Sequence, residues 1–154
     1  MSVGKTLGIF FLVFVIAIQL IPVDRSNPKS DPALEIKAPA DVKAIFVRSC
    51  YDCHSNHTRW PWYSAVAPMK WFIARDVKVG RQWLNFSEWE KYDEKKKEKL
   101  KAMIFKAVGL AMPLGLYVKM HPDAALSPED KEKIRQWTGI DPEDIMNNPK
   151  KYLY

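Results

Sequence analysis

Cysteine is nearly missing from this chain of 154 residues, which has only two, together with three histidines and six glycines. So few thiols exclude the disulfide framework of a small secreted domain, which uses more cysteines at wider spacing. A block of like charge is lacking too. The formal net charge is +6, yet the 24 basic residues are interleaved with 18 acids, so an acidic partner or an anionic surface is favoured only weakly. No aromatic-basic RNP pattern and no paired-cysteine finger accompanies that charge, which argues against nucleic-acid binding. Internal repeats and strand-like alternation are absent, so the expected fold is all-α. With 47% hydrophobic residues, the length suits one membrane element plus one compact domain of roughly 110 residues rather than two independent domains.

What is present is strongly segmented. From Thr6 to Val23 runs an uncharged stretch of about eighteen residues, enough to just span the hydrocarbon core as a helix. A cleaved signal peptide is the competing reading, but Gln19 to Asn27 offers no A-x-A-like triplet and no cysteine for lipid attachment. Residues 1–23 are therefore expected to form an uncleaved N-terminal transmembrane anchor. Lys5 on one side and Arg25 with Lys29 on the other leave its orientation undecided by charge. Residues 24–40 carry Pro28, Pro32 and Pro39 behind Pro22, and read as an extended tether that packs no core and holds the domain away from the membrane.

The domain itself is expected over residues 41–140, with a polar tail at 141–154. Val42, Ile45, Phe46 and Ser49 at i, i+3, i+4 and i+7 predict a helix N-capped by Asp41 and running into Cys50. Residues 56–68, broken by Pro61 and Pro68, read as an aromatic-rich loop. A second helix is predicted from Met69 to about Val79, with Gly80 interrupting or ending it. Ser87-Glu88-Trp89-Glu90 signals the start of a third helix, continuing to Val108 and ending at Gly109. A Gly-, Pro- and Met-rich loop follows to Pro122. Ser127-Pro128 opens the last helix, with Ile134 and Trp137 inward and Gly139 as its stop.

The most specific feature is Cys50-Tyr51-Asp52-Cys53-His54, a C-x-x-C-H sequence. On a helical turn its two thiols lie near one face, each placed to form a thioether with one vinyl group of a haem, while the adjacent imidazole is directed at the iron. His54 is then the proximal ligand, its other ring nitrogen donating to a backbone carbonyl, with the Pro61 or Pro68 region as candidates. A thioredoxin-like dithiol calls for a βαβ pattern that the sequence lacks. A zinc site built from Cys50, Cys53 and two of His54, His57 and His121 is a further alternative, as is a chance match holding no cofactor. For the sixth position the candidates are Met69, Met103, Met112, Met120, His57 and His121. Met112 is preferred, because a loop methionine before Pro113 is freer to aim its sulphur than one fixed on a helix face, where core filling is the ordinary role.

Trp60, Trp62, Tyr63 and Trp71 are expected to wall the cofactor pocket, since a buried macrocycle needs large apolar area. Arg48, Arg59, Arg75 and Arg81 are candidates to pair with propionates, against a plain surface role for at least two of them. The Glu88 to Lys106 stretch holds seven lysines against five acids. A solvated helix face is its default reading, and a docking patch for an acidic redox partner the sharper one.

With these residues in view, the chain resembles the bacterial haem-binding domain proteins, relatives of cytochrome c. The resemblance covers about Ile45 to Trp137. It rests on Cys50 to Asn56, Trp60-Pro61-Trp62-Tyr63, Ala67-Pro68, Gly80-Arg81, Leu84 to Trp89, Met112-Pro113, His121 to Ala124 and Leu126-Ser127. It implies one covalent haem c held by Cys50 and Cys53 with His54 on the iron. It also suggests an architecture similar to class I cytochrome c, with a terminal helix whose aromatic crosses the first. One departure is Asp76, where many relatives carry histidine. The resulting expectation is a membrane-anchored monohaem cytochrome, facing the periplasm of a bacterial inner membrane. It would carry single electrons between redox partner proteins, among them a respiratory or photosynthetic membrane complex. A haem sensor or peroxidase-like protein, or a structural haem subunit, is the alternative.

Overall fold

The apolar residues that open the chain coil into α1 (Val3–Gln19), a 17-residue helix that buries none of its side chains. The structure, a computed structural model, describes residues 2–148. At 1.5 Å per residue α1 is about 26 Å long, short of a hydrocarbon core of about 30 Å. Among the described residues no helix is long and apolar enough to cross a membrane. The spanning anchor expected over residues 1–23 is therefore not supported. Its count included Leu20 to Val23, but Pro22 disfavours helix at Ile21, and the end of the helix is gripped by the domain. Gln19 Oε1 accepts from Ala67 N at 2.8 Å, and the Lys70 ammonium donates to Gln19 O at 2.7 Å. Lys70 is only 5% exposed, a buried cation set against the negative end of a helix.

The proline-rich segment after α1 is a second correction. It lies along the domain as a strap rather than standing free as a tether. Asn27 Nδ2 donates to Thr58 O at 2.9 Å, and Arg81 donates to Ser26 O at 3.1 Å and Asn27 Oδ1 at 2.8 Å. Ile36 N then donates to Phe86 O at 2.9 Å, and the Ile36 side chain, 1% exposed, enters the core. Proline fixes an extended chain and removes donors but leaves carbonyls. Arg81 satisfies the carbonyl of Ser26 in this segment, a step that composition alone does not reveal.

Beyond the strap come α2 (Ala40–Ser49), α3 (Tyr51–His54), α4 (Met69–Trp83), α5 (Glu94–Leu110), α6 (Gly115–Met120), α7 (Pro128–Thr138) and α8 (Pro142–Asn147), with no strand among the described residues. The domain is all-α, as the sequence predicts. Helix α2 buries Val42, Ile45, Phe46 and Ser49, the face that the spacing predicts. Its N-cap is Pro39 rather than Asp41, which sits in the first turn, where an acid still favours the helix dipole. Cys50 breaks the helix between α2 and α3.

Helix α4 runs through Gly80 instead of stopping there. The predicted start of the third helix belongs to a short 3-10 segment, Phe86–Lys91, capped by Asn85. Helix α5 begins only after Asp93, whose carboxylate accepts from Lys96 N at 2.7 Å, and passes Gly109. The predicted loop of residues 109–122 contains α6. Helix α7 carries the full capping box of Ser127 and Asp130 and ends on left-handed Gly139, matching its sequence signals. Of the tail, α8 is described and residues 149–154 lie outside the described residues.

An aromatic stack holds the middle of the core. Phe86 lies between Phe46, with centroids 4.7 Å apart, and Tyr51 at 5.5 Å. Trp137 of α7 meets Phe46 of α2, the helix that leads into the C-x-x-C-H turn, edge-on at 5.2 Å. In the lysine-rich stretch, Lys97 pairs with Glu90 and Glu94, Lys91 with Glu88, and Lys96 lies over Tyr92. The exposed pairs Lys91–Glu88 and Lys97–Glu94 contribute little stability, while Lys97–Glu90 is half-buried.

Candidate functional site

The break at Cys50 and the single turn of α3 present Cys50, Cys53 and His54 to one cavity of about 310 Å³. The opposite wall comes from α5, where Leu100, Met103, Ile104, Ala107 and Val108 repeat at helical spacing on one face. Helix α4 supplies Asp76, Val79, Gly80 and Trp83, and Met112 to Leu114 close the far rim with Tyr117 of α6. The lining is mostly apolar with a few convergent polar groups, the usual make-up of a cofactor site.

Gly80 is what lets the two sides of this cavity meet. A Cβ at that position would lie 2.5 Å from Cys53 O and 3.1 Å from Cys53 C. Helix α4 thus packs against the backbone of the C-x-x-C-H turn at a distance only glycine permits. The same contact orients the imidazole. His54 Nδ1 lies 3.1 Å from Gly80 O and 3.2 Å from Leu84 O. Carbonyls only accept, so Nδ1 carries the proton and Nε2 keeps the lone pair that a metal needs. Burial pushes the His54 pKa below its ordinary value, the two carbonyls opposing, and the ring stays neutral. The predicted carbonyl partner exists, but at the end of α4 rather than near Pro61 or Pro68.

The thiols are free, with no disulfide between them. Burial pushes Cys50 up to about 12, with help from Cys53. Burial likewise pushes Cys53 up to about 11, helped by the Asp52 and Asp76 carboxylates. Both therefore stand as protonated, weakly nucleophilic thiols at neutral pH.

Around the turn, the residues flanking the motif form a polar clamp. Asn85 Nδ2 donates to Asn56 Oδ1 at 2.8 Å, Asn56 N donates to Ser87 Oγ at 3.0 Å, and Arg81 Nε donates to Ser55 O at 2.8 Å. Asp52, inside the motif, accepts from Arg59 Nε at 3.1 Å and from the Tyr117 hydroxyl at 2.6 Å. Burial and that carboxylate both push the Tyr117 pKa up, keeping the hydroxyl protonated as a donor.

Of the six candidate sixth ligands, Met103 and Met112 line the cavity, whereas Met69, Met120, His57 and His121 do not. His121 is held elsewhere, its Nε2 2.7 Å from the Tyr63 hydroxyl. Among the described residues no group of three or more His, Cys, Asp or Glu is placed to hold a metal ion, so the zinc alternative finds no support. The thioredoxin-like alternative lacks its strands among the described residues.

The expected aromatic wall is corrected as well. Trp60, Trp62, Tyr63 and Trp71 do not line the cavity, and Trp62 is 78% exposed. Phe46, Trp83, Phe86 and Tyr117 take their place. Among the arginines only Arg75 lines the cavity. Arg48 pairs with Asp130 at 2.6 Å, Arg59 with Asp52, and Arg81 holds the strap and the Ser55 carbonyl. Sequence reasoning missed the apolar face of α5, although its spacing was there to read, and missed Gly80 as a contact rather than a breaker.

A family model described as a haem-binding domain matches residues 13–139. No curated protein and no solved structure matches the chain.

Proposed function

From the premise that this chain belongs to the haem-binding domain family, we propose that it is a monohaem c-type cytochrome that carries single electrons between redox partners. One observation carries the reading: Cys50, Cys53 and His54 line the same mostly apolar cavity, with the imidazole proton already committed to Gly80 O and Leu84 O. Bound there, haem supplies a one-electron iron couple. The chain's own residues do the rest. Cys50 and Cys53 hold the porphyrin edge by thioethers, His54 offers Nε2 to the iron, and the side chains of α5 exclude water. Met112, on the rim loop, offers its sulphur as the sixth ligand and so closes the iron to exogenous ligands. Arg75, the one arginine of the cavity lining, is the candidate partner of a propionate.

Mass spectrometry of natively matured protein tests the attachment. Polypeptide plus one haem, with both thiols resistant to alkylation, is the expected result; polypeptide mass alone sinks the reading. Met112→Ala is expected to abolish the sulphur-to-iron charge-transfer band and to open the reduced protein to carbon monoxide. An unaltered spectrum would assign the sixth position elsewhere.

The same reading includes attachment to the outer face of a bacterial inner membrane. Its support is α1, whose Leu7, Phe10, Phe11, Leu12, Val13 and Phe14 are all exposed and uncovered by the domain. A short apolar helix is accommodated by local thinning of the bilayer at modest cost. The full chain is expected to float with lipid vesicles, and a chain shortened by residues 2–23 to stay behind. Equal partitioning of the two would remove this part of the reading.

A further inference from the structure

Helix α6 covers the rim of the cavity without burying a single residue. Leu114, Leu116 and Met120 on this segment are all exposed, so apolar packing does not explain why it lies where it does. Two polar contacts reach from it into the body of the domain. The Tyr117 hydroxyl donates to Asp52 Oδ2 at 2.6 Å, and His121 Nε2 meets the Tyr63 hydroxyl at 2.7 Å. The rings of Tyr117 and His121 stack on each other at 4.6 Å, joining the two contacts.

Asp52 is a firm anchor. It is buried, it lies between the two cysteines, and Arg59 grips it through Nε and Nη2, both at 3.1 Å. We propose that the Tyr117–Asp52 hydrogen bond is a latch that holds residues 111–120 over the cavity, making Tyr117 and Asp52 positioning residues for Met112. The latch stands on this geometry alone; its effect on the iron rests on the reading of Met112 as sixth ligand. Met112 is 37% exposed; its N donates to Ala107 O at 2.9 Å, which fixes the start of the loop to α5 and leaves Tyr117 and His121 to hold its far end. The bond ties the rim that carries Met112 to the turn that carries His54. An exchangeable sixth position and a closed one thus differ by one hydroxyl group.

Tyr117→Phe removes that hydroxyl and keeps the ring on His121. In the full chain bearing its cofactor, hydrogen exchange of the amides of residues 118–120, the first of them bonded to Leu114 O, is expected to speed up by roughly ten- to a hundredfold, the factor lost with a hydrogen bond to a charged acceptor. Carbon monoxide binding to the reduced protein should accelerate with it, at unchanged haem content. Leu116→Ala, on the same helix but pointing to solvent, should move neither quantity.

Unchanged protection in Tyr117→Phe overturns the latch. Loss of protection in the variant, with carbon monoxide binding already fast in the unaltered protein, upholds the latch and refutes Met112 ligation, so the two claims fail separately. Should Tyr117→Phe fold poorly, Tyr63→Phe loosens the neighbouring contact alone. It is expected to leave the amide of Val118 protected, and loss of protection there would also overturn the latch.

Discussion

Replacing Gly80 by alanine is expected to lower the denaturant midpoint of the protein and, on the proposed c-type attachment, to cut its haem content severely. The added methyl group would sit 2.5 Å from Cys53 O and 3.3 Å from Cys53 Cβ. The first of these is backbone and cannot swing aside, so α4 or the attachment turn must move. Overpacking of this kind costs about 1–3 kcal/mol, and more where a backbone is struck, whereas alanine gains only about 1 kcal/mol over glycine in a helix interior. Strain wins. Because Gly80 O and Leu84 O both face His54 Nδ1, any shift of α4 also frees the imidazole to change tautomer, and the thiols lose their register. Urea denaturation and the haem-to-protein ratio after maturation measure the two effects. A midpoint that rises in Gly80→Ala would show that the helices do not approach as closely as this.

The strap and the grip on α1 change how the domain relates to the apolar helix. A free tether would let the domain search a volume set by linker length. With Lys70 against Gln19 O, Arg81 on Ser26 and Asn27, and Ile36 in the core, the domain is instead held in one orientation relative to α1. Arg81 also donates to Ser55 O, directly after His54. The same guanidinium thus fastens the strap and the C-x-x-C-H turn.

Much of this was legible in the sequence, and what was legible was local. The inward face of α2, the Ser127-Pro128 start and Gly139 stop of α7, and the C-x-x-C-H turn all follow from spacing within a few residues. The remainder depended on contacts between distant segments. Gly80 reads as a helix breaker until Cys53, far back in the chain, is seen pressed against it. The tryptophans at 60, 62 and 71 read as pocket walls because aromatic mass was present near the motif. Yet the cavity draws Phe86 and Trp83 from elsewhere and leaves Trp62 in solvent. Arg59 and Arg81 have the chemistry to bind propionates, but buried carbonyls and the Asp52 carboxylate claim them first. The lysines of α5 drew attention to its solvated side, while its other side, plain in the repeat of Leu100, Ile104 and Val108, lines the cavity.

Phe86→Ala is expected to be the most damaging single truncation in the core, lowering stability by about 3–5 kcal/mol. That is a large share of the 5–15 kcal/mol typical of a whole domain. Phe86 is 1% exposed and stacks on Phe46, Tyr51 and Trp89, with centroids 4.7, 5.5 and 6.4 Å away. It also meets His54 edge-on at 6.5 Å and lines the cofactor cavity, so its ring is the wall between core and site. Removing it leaves a void that no neighbour can fill without giving up its own stack, and joins that void to the cavity. Its backbone bond to Ile36 survives the substitution, so the loss reports the ring alone. Phe86→Leu, which keeps most of the volume, should lose only about 1 kcal/mol. Equilibrium denaturation of both variants, with and without haem, separates the two roles of the ring. A stability loss appearing equally in both forms assigns it to the core, and a larger loss with haem present assigns part of it to the site. A total loss in Phe86→Ala below about 1 kcal/mol would mean that the stack does not organise this fold.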